Sequence, residues 1–318
     1  MFDVTALGEV LIDFTPAGRS PNGNALFEQN PGGAPANVLA ALAKLGKKTS
    51  FVGKVGADSF GIFLRQTLQD AGIATTDLIT TSEACTTLAF VHLNSEGDRT
   101  FSFVREPGAD MLLSSQDITE DKVCKSTIFH FGTLSMTHEL CTEATVKAVS
   151  LAKERGALLS FDPNLRVPLW KSLDQAKSAI RWGLRQADLV KISEEEMSFI
   201  TGESDLEAGT QQILEAYGNA LIVVTLGDKG SFVRKGNEYA AVPGFRVATV
   251  DTTGAGDAFW GGLLYQVLER NGDIANTSIE ELYGMARFAN AVGALATTRK
   301  GAIPAMPSLS EIREMLST

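Results

Sequence analysis

Short apolar runs alternate with stretches of helical periodicity along most of this chain of 318 residues. The runs have the length of buried strands, and the helical stretches place apolar residues three and four positions apart. The predicted strands cover residues 4–8, 51–53, 128–131, 158–161, 189–192 and 221–225, and the longest predicted helices cover 139–154, 174–185 and 194–216. This alternation predicts an α/β fold with a mostly parallel central sheet and helices on both faces.

One segment interrupts the alternation with strand-like residues that no helix follows. Residues 86–93 and 100–105 are joined by a turn-forming sequence and predict a β-hairpin. Residues 14–31 are rich in Pro, Gly, Asn and Ser, which is typical of loop or irregular strands. We expect both segments to form a small β-sheet lid over the open edge of the main sheet, the alternative being an edge hairpin without a role in binding. The domains predicted in this way are a main domain, residues 1–13, 32–85 and 106–318, and a lid, residues 14–31 and 86–105.

The charge balance excludes several classes of partner. With 28 basic and 38 acidic residues, the chain has a formal net charge of −10 and a pI near 4.9. Nucleic acids and anionic membranes require a clustered excess of Lys and Arg, so neither is expected as a partner. No apolar run approaches the roughly 20 residues of a membrane span, and the first residues do not form a secretory signal, so we expect a cytoplasmic protein.

The cysteines and histidines do not predict a disulfide or a metal centre. An odd number of cysteines at unrelated spacings is typical of reduced thiols, and the histidines lack the spacings of a zinc site. We expect packing or ordinary structural roles for Cys85, Cys124, Cys141, His92, His130 and His138.

The sequence Asp251-Thr252-Thr253-Gly254-Ala255-Gly256-Asp257 precedes an apolar run and predicts a glycine turn that opens a helix. The glycines allow successive N–H groups to point into one space, where they and the helix dipole favour a phosphate or an oxyanion. Asp257 adds a carboxylate beside that space. A base next to an anion-binding turn indicates phosphoryl transfer, whereas the alternative is that Asp257 only caps the helix.

A similar turn near the start of the chain, Pro31-Gly32-Gly33-Ala34-Pro35-Ala36-Asn37, precedes apolar residues at helical spacing. Asn37 lies in the first turn of this helix, where it either satisfies the backbone or binds a ligand. Other polar residues follow predicted strands, and the carboxyl ends of parallel strands are where ligands gather. These residues are Asp13, Asn164, Arg166, Ser193, Glu196, Thr225 and Gly227.

Common nucleotide-binding motifs are absent from the sequence. No G-x-x-x-x-G-K-[ST] occurs, and Phe259 stands where a dinucleotide fingerprint would have its third glycine. The two glycine turns instead resemble, in order and separation, the two signatures of the ribokinase-like carbohydrate kinase family. Within that family the chain is most similar to the fructokinases, through residues 33–37, 105–112, 161–166 and 191–196.

The resemblance implies ATP-dependent phosphorylation of a sugar, with Mg²⁺ as cofactor and D-fructose as the expected acceptor. It assigns Asp257 as the catalytic base and the N–H groups of Gly254, Ala255 and Gly256 as an anion hole. The positions matched to sugar contacts are Asp13, Gly32, Gly33 and Asn37, with Arg105 and Arg166 as candidate charged contacts. For Arg166, the alternative is a surface ion pair. The positions matched to the nucleotide are Lys191, Ser193, Glu196, Thr225, Gly227 and Asn290.

The sequence departs from the family pattern at one of these positions. The family often shows Asn-x-x-Glu before a helix, whereas this chain has Ser193-x-x-Glu196, which leaves a direct role for Ser193 open. We expect Glu196 to act through water on Mg²⁺ and phosphate. The alternative is that it belongs to a solvated run of three glutamates.

The resemblance also implies a K⁺ ion beside the anion hole, bound mostly by backbone carbonyls. The matching positions are Asp251, Thr253, Ala296, Arg299, Gly301 and Ala305. The alternative is that Asp251 only supports the turn.

A homodimer joined through the lid is also expected. The hairpin carries apolar residues on both faces, Leu88, Phe90 and His92 on one and Ala89, Val91 and Leu93 on the other. One face can cover the sugar, and a second copy of the chain would bury the other, because an exposed apolar sheet favours self-association. The alternative is a monomer whose hairpin lies flat against the main domain.

Two other functions remain open at this point. The first is the same chemistry on another acceptor, such as 2-keto-3-deoxygluconate or a nucleoside. The second is a sugar sensor without turnover, although binding alone does not require a carboxylate such as Asp257 at an anion-binding turn.

Overall fold

Ten strands form one sheet in the part of the chain that the structure, a computed structural model, describes: residues 1–93, 99–123 and 126–317. Residues 94–98 of the turn predicted at Asn94 to Arg99 lie outside these residues, as does Cys124. The strands are β1 (Phe2–Leu7), β2 (Leu11–Arg19), β3 (Ala25–Gly32), β4 (Thr49–Gly56), β5 (Ile73–Ala74), β6 (Leu78–Thr81), β7 (Leu88–Leu93), β8 (Arg99–Val104), β9 (Ser126–Gly132), β10 (Leu158–Asp162), β11 (Leu189–Ser193), β12 (Leu221–Thr225), β13 (Gly230–Lys235) and β14 (Glu238–Pro243). The helices are α1 (Ala34–Lys44), α2 (Ser59–Asp70), α3 (Glu120–Val123), α4 (Glu139–Glu154), α5 (Leu173–Gln186), α6 (Glu194–Thr201), α7 (Leu206–Tyr217), α8 (Ala255–Glu269), α9 (Ile279–Ala296) and α10 (Leu309–Ser317).

The large sheet is mostly parallel, as the alternation predicted. Its strand order is β14-β13-β12-β11-β10-β9-β1-β4-β5, with β6 also paired to β4. All neighbouring strands from β12 to β5 run parallel, and only β13 and β14 are antiparallel. These two edge strands were not predicted. Since parallel strands end at the same edge, the residues after β9, β10, β11 and β12 share one side of the sheet.

Two apolar cores lie on the two faces of this sheet. The first contains residues of α1, α8 and α9, and the second contains residues of α4, α5, α6 and α7. Alternate strand residues reach the two cores, so helices cover both faces as predicted. Within the interior, the Trp260 indole donates to Oγ of Ser160 at 2.8 Å, and Nδ1 of His130 lies 2.9 Å from the same oxygen. Burial lowers the pKa of His130 to about 4, so this structural imidazole is neutral.

A separate four-stranded sheet, with the order β3-β2-β7-β8, forms the lid. The hairpin of β7 and β8 is confirmed, and residues 14–31 form strands with one irregularity, a shift of the β2–β3 register between Pro16 and Arg19. Strands β2 and β3 are antiparallel, and they extend beyond those residues at both ends. Most of their side chains are exposed, so they lack the apolar pattern from which buried strands are predicted. The division into two domains stays a prediction.

The helix predicted at residues 194–216 is two helices. Gly202 has a left-handed backbone with φ of 82° and ends α6, and Asp205 caps α7 by accepting from the backbone N–H of Ala208. Among the described residues, no helix has both the length and the hydropathy of a bilayer span.

Hydrogen bonds fix the places where the lid joins the main sheet. Asp58, the N-cap of α2, accepts from the backbone N–H and the hydroxyl of Thr86, both at 2.8 Å, just before β7. After β8, Arg105 forms a buried ion pair with Asp110 at 2.6 Å. The hydroxyl of Thr87 donates to the same Asp110. Both chain connections of the β7–β8 hairpin are therefore held at their base.

Candidate active site

A cavity of about 220 Å³ lies between the lid and the carboxyl edge of the large sheet. Its lining comes from β2, the start of α1, the lid hairpin, the loop after β10 and the glycine turn before α8. The lining residues are Glu9, Leu11, Asp13, Thr15, Gly33, Ala34, Asn37, Val91, Phe103, Leu134, Asn164, Arg166, Thr252, Thr253, Gly254 and Asp257. The structure thus brings together Asp13, Gly33, Asn37, Asn164, Arg166, Thr253, Gly254 and Asp257 from the residues singled out in the sequence.

Asp257 lies in the first turn of α8 and is buried. The predicted glycine turn is confirmed, because Gly254 is the N-cap with φ of 74°. A Cβ on Gly254 would come within 2.7 Å of the Ala302 Cβ, so only glycine fits there. Burial raises the pKa of Asp257, while the Lys191 ammonium opposes the change. A carboxylate with a raised pKa is a better base than an ordinary one.

Asn37 connects the two glycine turns. Its side-chain amide donates to Oδ2 of Asp257 at 2.8 Å, across 220 residues of sequence. Asn37 is held in the first turn of α1, which follows Gly33 at φ of 121°. Among the described residues, Oδ1 of Asn37 has no hydrogen-bond partner. A buried acceptor without a partner beside a cavity is suited to a ligand hydroxyl.

Asp13 lines the cavity from strand β2 of the lid sheet. The expectation that it follows strand β1 directly was wrong, because residues 8–10 separate the two strands. Burial raises the pKa of Asp13 to about 6, with Arg166 opposing and the carboxylates of Asp251 and Asp257 adding to the rise. Gly32 lies against Asp13, since a Cβ at this glycine would overlap Oδ2 of the carboxylate.

Sequence reasoning did not identify Glu9 as a site residue. Its side chain is buried, with 4% exposure, and Oε1 accepts from the backbone N–H of Ala34 at 3.0 Å. This bond fixes the start of α1, which carries Gly33 and Asn37. Burial raises the pKa of Glu9 to about 7. The available signal was a charged residue directly after an apolar strand and a glycine.

A second polar group lies at the ends of β10 and β11. The Lys191 ammonium pairs with Oδ2 of Asp162 at 2.7 Å, and both residues are buried. Burial alone would lower the pKa of Lys191, but Asp162, Glu196 and Asp257 hold it above its ordinary value. Asp162 was not selected from the sequence, although it directly follows the strand predicted at 158–161 and ends the observed strand β10.

Glu196 is buried, so the alternative that it belongs to a solvated run of glutamates is wrong. Its two carboxylate oxygens accept from the backbone N–H groups of Leu165 at 2.7 Å and Ser193 at 2.9 Å. The Ser193 hydroxyl in turn accepts from the backbone N–H of Glu196, which completes a capping box at the start of α6. Burial raises the pKa of Glu196, and Asp162 adds to this effect.

Arg105 does not reach the cavity. Its guanidinium donates twice to Asp110 and also to Oγ1 of Thr137 and the carbonyl of Leu134. The prediction of Arg105 as a sugar contact therefore has no geometric support: the arginine that lines the cavity is Arg166. Arg166 is exposed at the cavity rim, and its reading as a surface ion pair has no support among the ion pairs of the described residues.

The residues matched to the nucleotide lie outside the cavity. Thr225 ends β12, and Gly227 follows it with φ of 61°. The side-chain amide of Asn290, in α9, donates to the carbonyls of Val242 and Pro243 at 3.1 and 3.2 Å. Thr225 thus lies on the same sheet edge as Ser193, its partner in the strand register.

The turn before α8 is tied to the loop after α9. Oδ1 of Asp251 accepts from the N–H and hydroxyl of Thr253, and Oδ2 accepts from the N–H of Gly301 at 3.0 Å. Ala296 ends α9, Ala305 is buried in a short 3₁₀ turn, and the Arg299 side chain pairs with Glu311. Within the described ranges, no three His, Cys, Asp or Glu side chains form a cluster that could hold a metal.

The known proteins that this chain resembles in sequence and in fold are carbohydrate kinases. The sequence profile of the pfkB family of carbohydrate kinases matches residues 1–309. The chain is 42% identical over 315 residues to fructokinase-1 of Zea mays, covering 98% of this chain and 97% of that protein. The crystal structure of a fructokinase with bound ATP from Xylella fastidiosa superimposes with a TM-score of 0.91 at 37% identity, covering 100% of this chain and 99% of that one. A fructokinase double mutant from Vibrio cholerae O395, in a form with fructose, ADP and potassium ion bound, gives a TM-score of 0.88 at 35% identity, with 99% and 98% coverage.

Glu9 makes the stability of the protein depend on pH. An acid whose pKa is raised on folding binds more protons in the folded state, so its contribution is lost as pH rises towards the folded pKa. The pKa of Glu9 rises from 4.5 to about 7. From pH 5.5 to pH 8, we therefore expect the free energy of unfolding of Glu9→Gln to increase by about 2 kcal/mol relative to that of the wild type. Urea unfolding at both pH values measures this difference. The matched control is Glu83→Gln, at an exposed glutamate, which should follow the wild type. A constant difference between Glu9→Gln and the wild type at the two pH values would contradict a buried, titrating Glu9.

Proposed function

Because the chain belongs to the pfkB family of carbohydrate kinases, we propose that it transfers the γ-phosphoryl group of ATP to the 6-hydroxyl of D-fructose. The chain is an ATP-dependent carbohydrate kinase. The mechanism is inferred chiefly from the buried Asp257 carboxylate. It lies at the start of α8, accepts a hydrogen bond from the Asn37 amide and lines the cavity.

Asp257 acts as the general base in this mechanism. Its Oδ2 atom is held by Asn37, so Oδ1 is the oxygen that we assign to the proton of the sugar hydroxyl. A raised pKa makes the carboxylate a stronger base than a solvated aspartate. Proton transfer is late in such a reaction, when the attacking oxygen has become acidic. In-line phosphoryl transfer then depends chiefly on positioning and charge neutralisation.

The sugar is held between the lid and α1. The Asp13 carboxylate accepts hydrogen bonds from sugar hydroxyls on one side. Oδ1 of Asn37, which lacks a partner among the described residues, accepts from the other side. Val91 and Phe103 of the lid hairpin form an apolar cover that excludes water, which would otherwise compete as the phosphoryl acceptor. Arg166 supplies positive charge at the rim, where we place the incoming phosphate.

The phosphoryl group meets the positive end of α8. The N–H groups of Gly254, Ala255 and Gly256 are the anion hole of this proposal, and Lys191 lies beneath Gly256. Thr225, Gly227 and Asn290 are assigned to the nucleotide side of the sheet edge. Ser193 is assigned to helix capping rather than to direct nucleotide contact.

In this proposal the chain would contribute the carboxylate of Glu196 to a Mg²⁺ site. The donor set fits a metal bound mainly by phosphate oxygens and water, because Mg²⁺ commonly uses one or two carboxylates together with substrate phosphates. Glu196 supplies the carboxylate, acting through water. When bound, the metal neutralises charge on the phosphate oxygens.

The test of this function combines a sugar panel with one substitution. Purified protein with ATP and Mg²⁺ should convert D-fructose to fructose 6-phosphate with a higher kcat/KM than other hexoses, nucleosides or 2-keto-3-deoxygluconate, as measured by ADP release and NMR of the product. Asp257→Asn should lower kcat by roughly 10²–10⁴, the range for loss of a general base, with little change in sugar binding. Near-normal kcat in this variant, or a better acceptor in the panel, would contradict the mechanism or the substrate respectively.

A K⁺ ion beside the anion hole is part of the proposal. Asp251 draws the turn before α8 and the Gly301 loop together, so their carbonyls can converge with those of Ala296, Arg299 and Ala305. K⁺ bound there would support the N–H groups of the turn. At fixed ionic strength, kcat should therefore be several-fold higher in potassium than in sodium buffer. Equal rates in the two buffers would exclude a K⁺-specific effect.

The lid offers an interface for a homodimer. Phe90 stacks on Phe14 with a centroid distance of 4.9 Å and contacts Phe27 edge-on at 5.8 Å. Phe27 is 40% exposed, and Val104, which shares this face, is 56% exposed. A second copy would bury the face, although Phe60 of α2 covers part of Phe14.

The free thiols of Cys85 and Cys141 are consistent with the cytoplasmic location that we propose.

Adjacent lid residues separate the dimer from the sugar site. Phe90→Asp places a charge on the outer face and should convert a dimer to a monomer in sedimentation equilibrium. Val91→Asp places it in the cavity, so the dimer should persist while KM for the sugar rises at least tenfold. A wild-type protein that sediments as a monomer at micromolar concentration would exclude this interface and leave the kinase function intact.

A further inference from the structure

A second cavity lies between the N-terminal ends of α4 and α5, on the sheet face opposite α1 and α8. Its volume is about 560 Å³, larger than that of the catalytic cavity, and the two cavities share no lining residue. We call it the α4–α5 groove. Its lining residues are Met136, Thr137, His138, Glu139, Thr142, Trp170, Lys171, Asp174, Gln175, Ser178, Ala179 and Trp182.

The chemistry of the lining favours a neutral ligand with many hydroxyl groups. Two indole rings, Trp170 and Trp182, provide flat apolar surface, and hydroxyl, amide and imidazole groups provide donors and acceptors. The carboxylates of Glu139 and Asp174 outnumber the one cation, Lys171, so a phosphorylated sugar or a nucleotide would be repelled. Aromatic faces beside mixed polar groups suit the alternating C–H and O–H surfaces of a saccharide.

Two buried nitrogens of residues in the groove lack a hydrogen-bond partner among the described residues. They are Nδ1 of His138 and Nε1 of Trp170. His138 is also the N-cap residue of α4, but its side chain makes no capping bond. Buried polar groups are nearly always paired, so two unpaired nitrogens at one groove indicate partners from outside the described residues.

A hydrogen-bonded bridge connects the groove to the catalytic cavity. Oγ1 of Thr137, in the groove, donates to the carbonyl of Leu134 at 2.8 Å, and Leu134 lines the catalytic cavity. The same oxygen accepts from the Arg105 guanidinium at 2.8 Å. Arg105 directly follows strand β8 of the lid and pairs with Asp110. A ligand that moves Thr137 would therefore act on both the cavity wall and the base of the lid.

We propose that the α4–α5 groove is an accessory site for a neutral mono- or disaccharide, and that its occupancy changes the affinity of the catalytic cavity for the acceptor sugar. The coupling runs through Thr137 and Arg105. It requires only that the saccharide bind the two arrangements of this bridge with different affinity.

Tryptophan fluorescence reports directly on this groove. Two of the three tryptophans line it, and the third, Trp260, is fully buried and bonded to Ser160. Sucrose and D-glucose are the probes, titrated without nucleotide. We expect a saturable fluorescence change with half-saturation in the millimolar range for at least one of them. Trp170→Leu and Gln175→Ala should each weaken binding at least fivefold by ligand-detected NMR. The matched control, Arg181→Ala, changes an exposed residue of α5 outside the groove and should bind as the wild type does.

The coupling is tested by kinetics with the same probe. A saturating concentration should change KM for D-fructose at least twofold, and Gln175→Ala should abolish that change. Thr137→Val should retain the fluorescence response and lose the effect on KM. A fluorescence change that is linear in both sugars, or equal in Gln175→Ala, would overturn the site. Saturable binding without any change in KM would overturn the coupling. The fluorescence titrations contain no ATP, so their outcome does not depend on whether the protein phosphorylates fructose.

Discussion

The hydrogen bond from Asn37 to Asp257 is the contact on which the site depends. It joins the first turns of α1 and α8, which lie at opposite ends of the sequence, and it fixes one oxygen of a buried carboxylate. Burying a carboxylate is costly unless neighbours compensate, and here the compensation comes from Asn37, from the helix dipole and from the Lys191 ammonium. The same burial raises the pKa of Asp257, as the proposed role of general base requires. The bond from Asn37 to Asp257 therefore both joins the two helices and positions the proposed base.

The features around this contact follow from the same constraint. Lys191 can remain charged in the interior because Asp162 pairs with it, and Glu196 can remain buried because backbone N–H groups occupy both of its oxygens. Glu9 holds the start of α1 in place from the other side. In a chain of net charge −10, the buried Lys191 ammonium thus lies beside the turn that we propose for the phosphate. The lid adds an apolar cover through Val91 and Phe103.

Much of this arrangement could be predicted from the sequence because its signals are local. The periodicity of buried strands and helices gave the parallel sheet, and the glycines of the two turns gave Asn37 and Asp257. The features that could not be predicted depend on how residues pack and pair in the folded chain. The full extent of strands β2 and β3 was not predicted because most of their side chains are exposed. Arg105 was expected at the sugar, and its buried pairing with Asp110, which keeps it out of the cavity lining, has no signal in the sequence. Glu9 and Asp162 also follow predicted strands, as Asp13 was expected to. Their partners, Ala34 of α1 and Lys191 of β11, are seen only once these elements are packed.

A double-mutant cycle on kcat tests most directly whether Asn37 acts by holding Asp257. The four proteins are the wild type, Asn37→Ala, Asp257→Asn and the double variant, each assayed at saturating sugar and ATP so that lost sugar contacts do not enter. If the hydrogen bond positions the base, Asn37→Ala should lower kcat about tenfold in the wild type and by less than about twofold when Asp257 is already replaced. An equal loss in both backgrounds would show that the two residues act independently and would contradict the account.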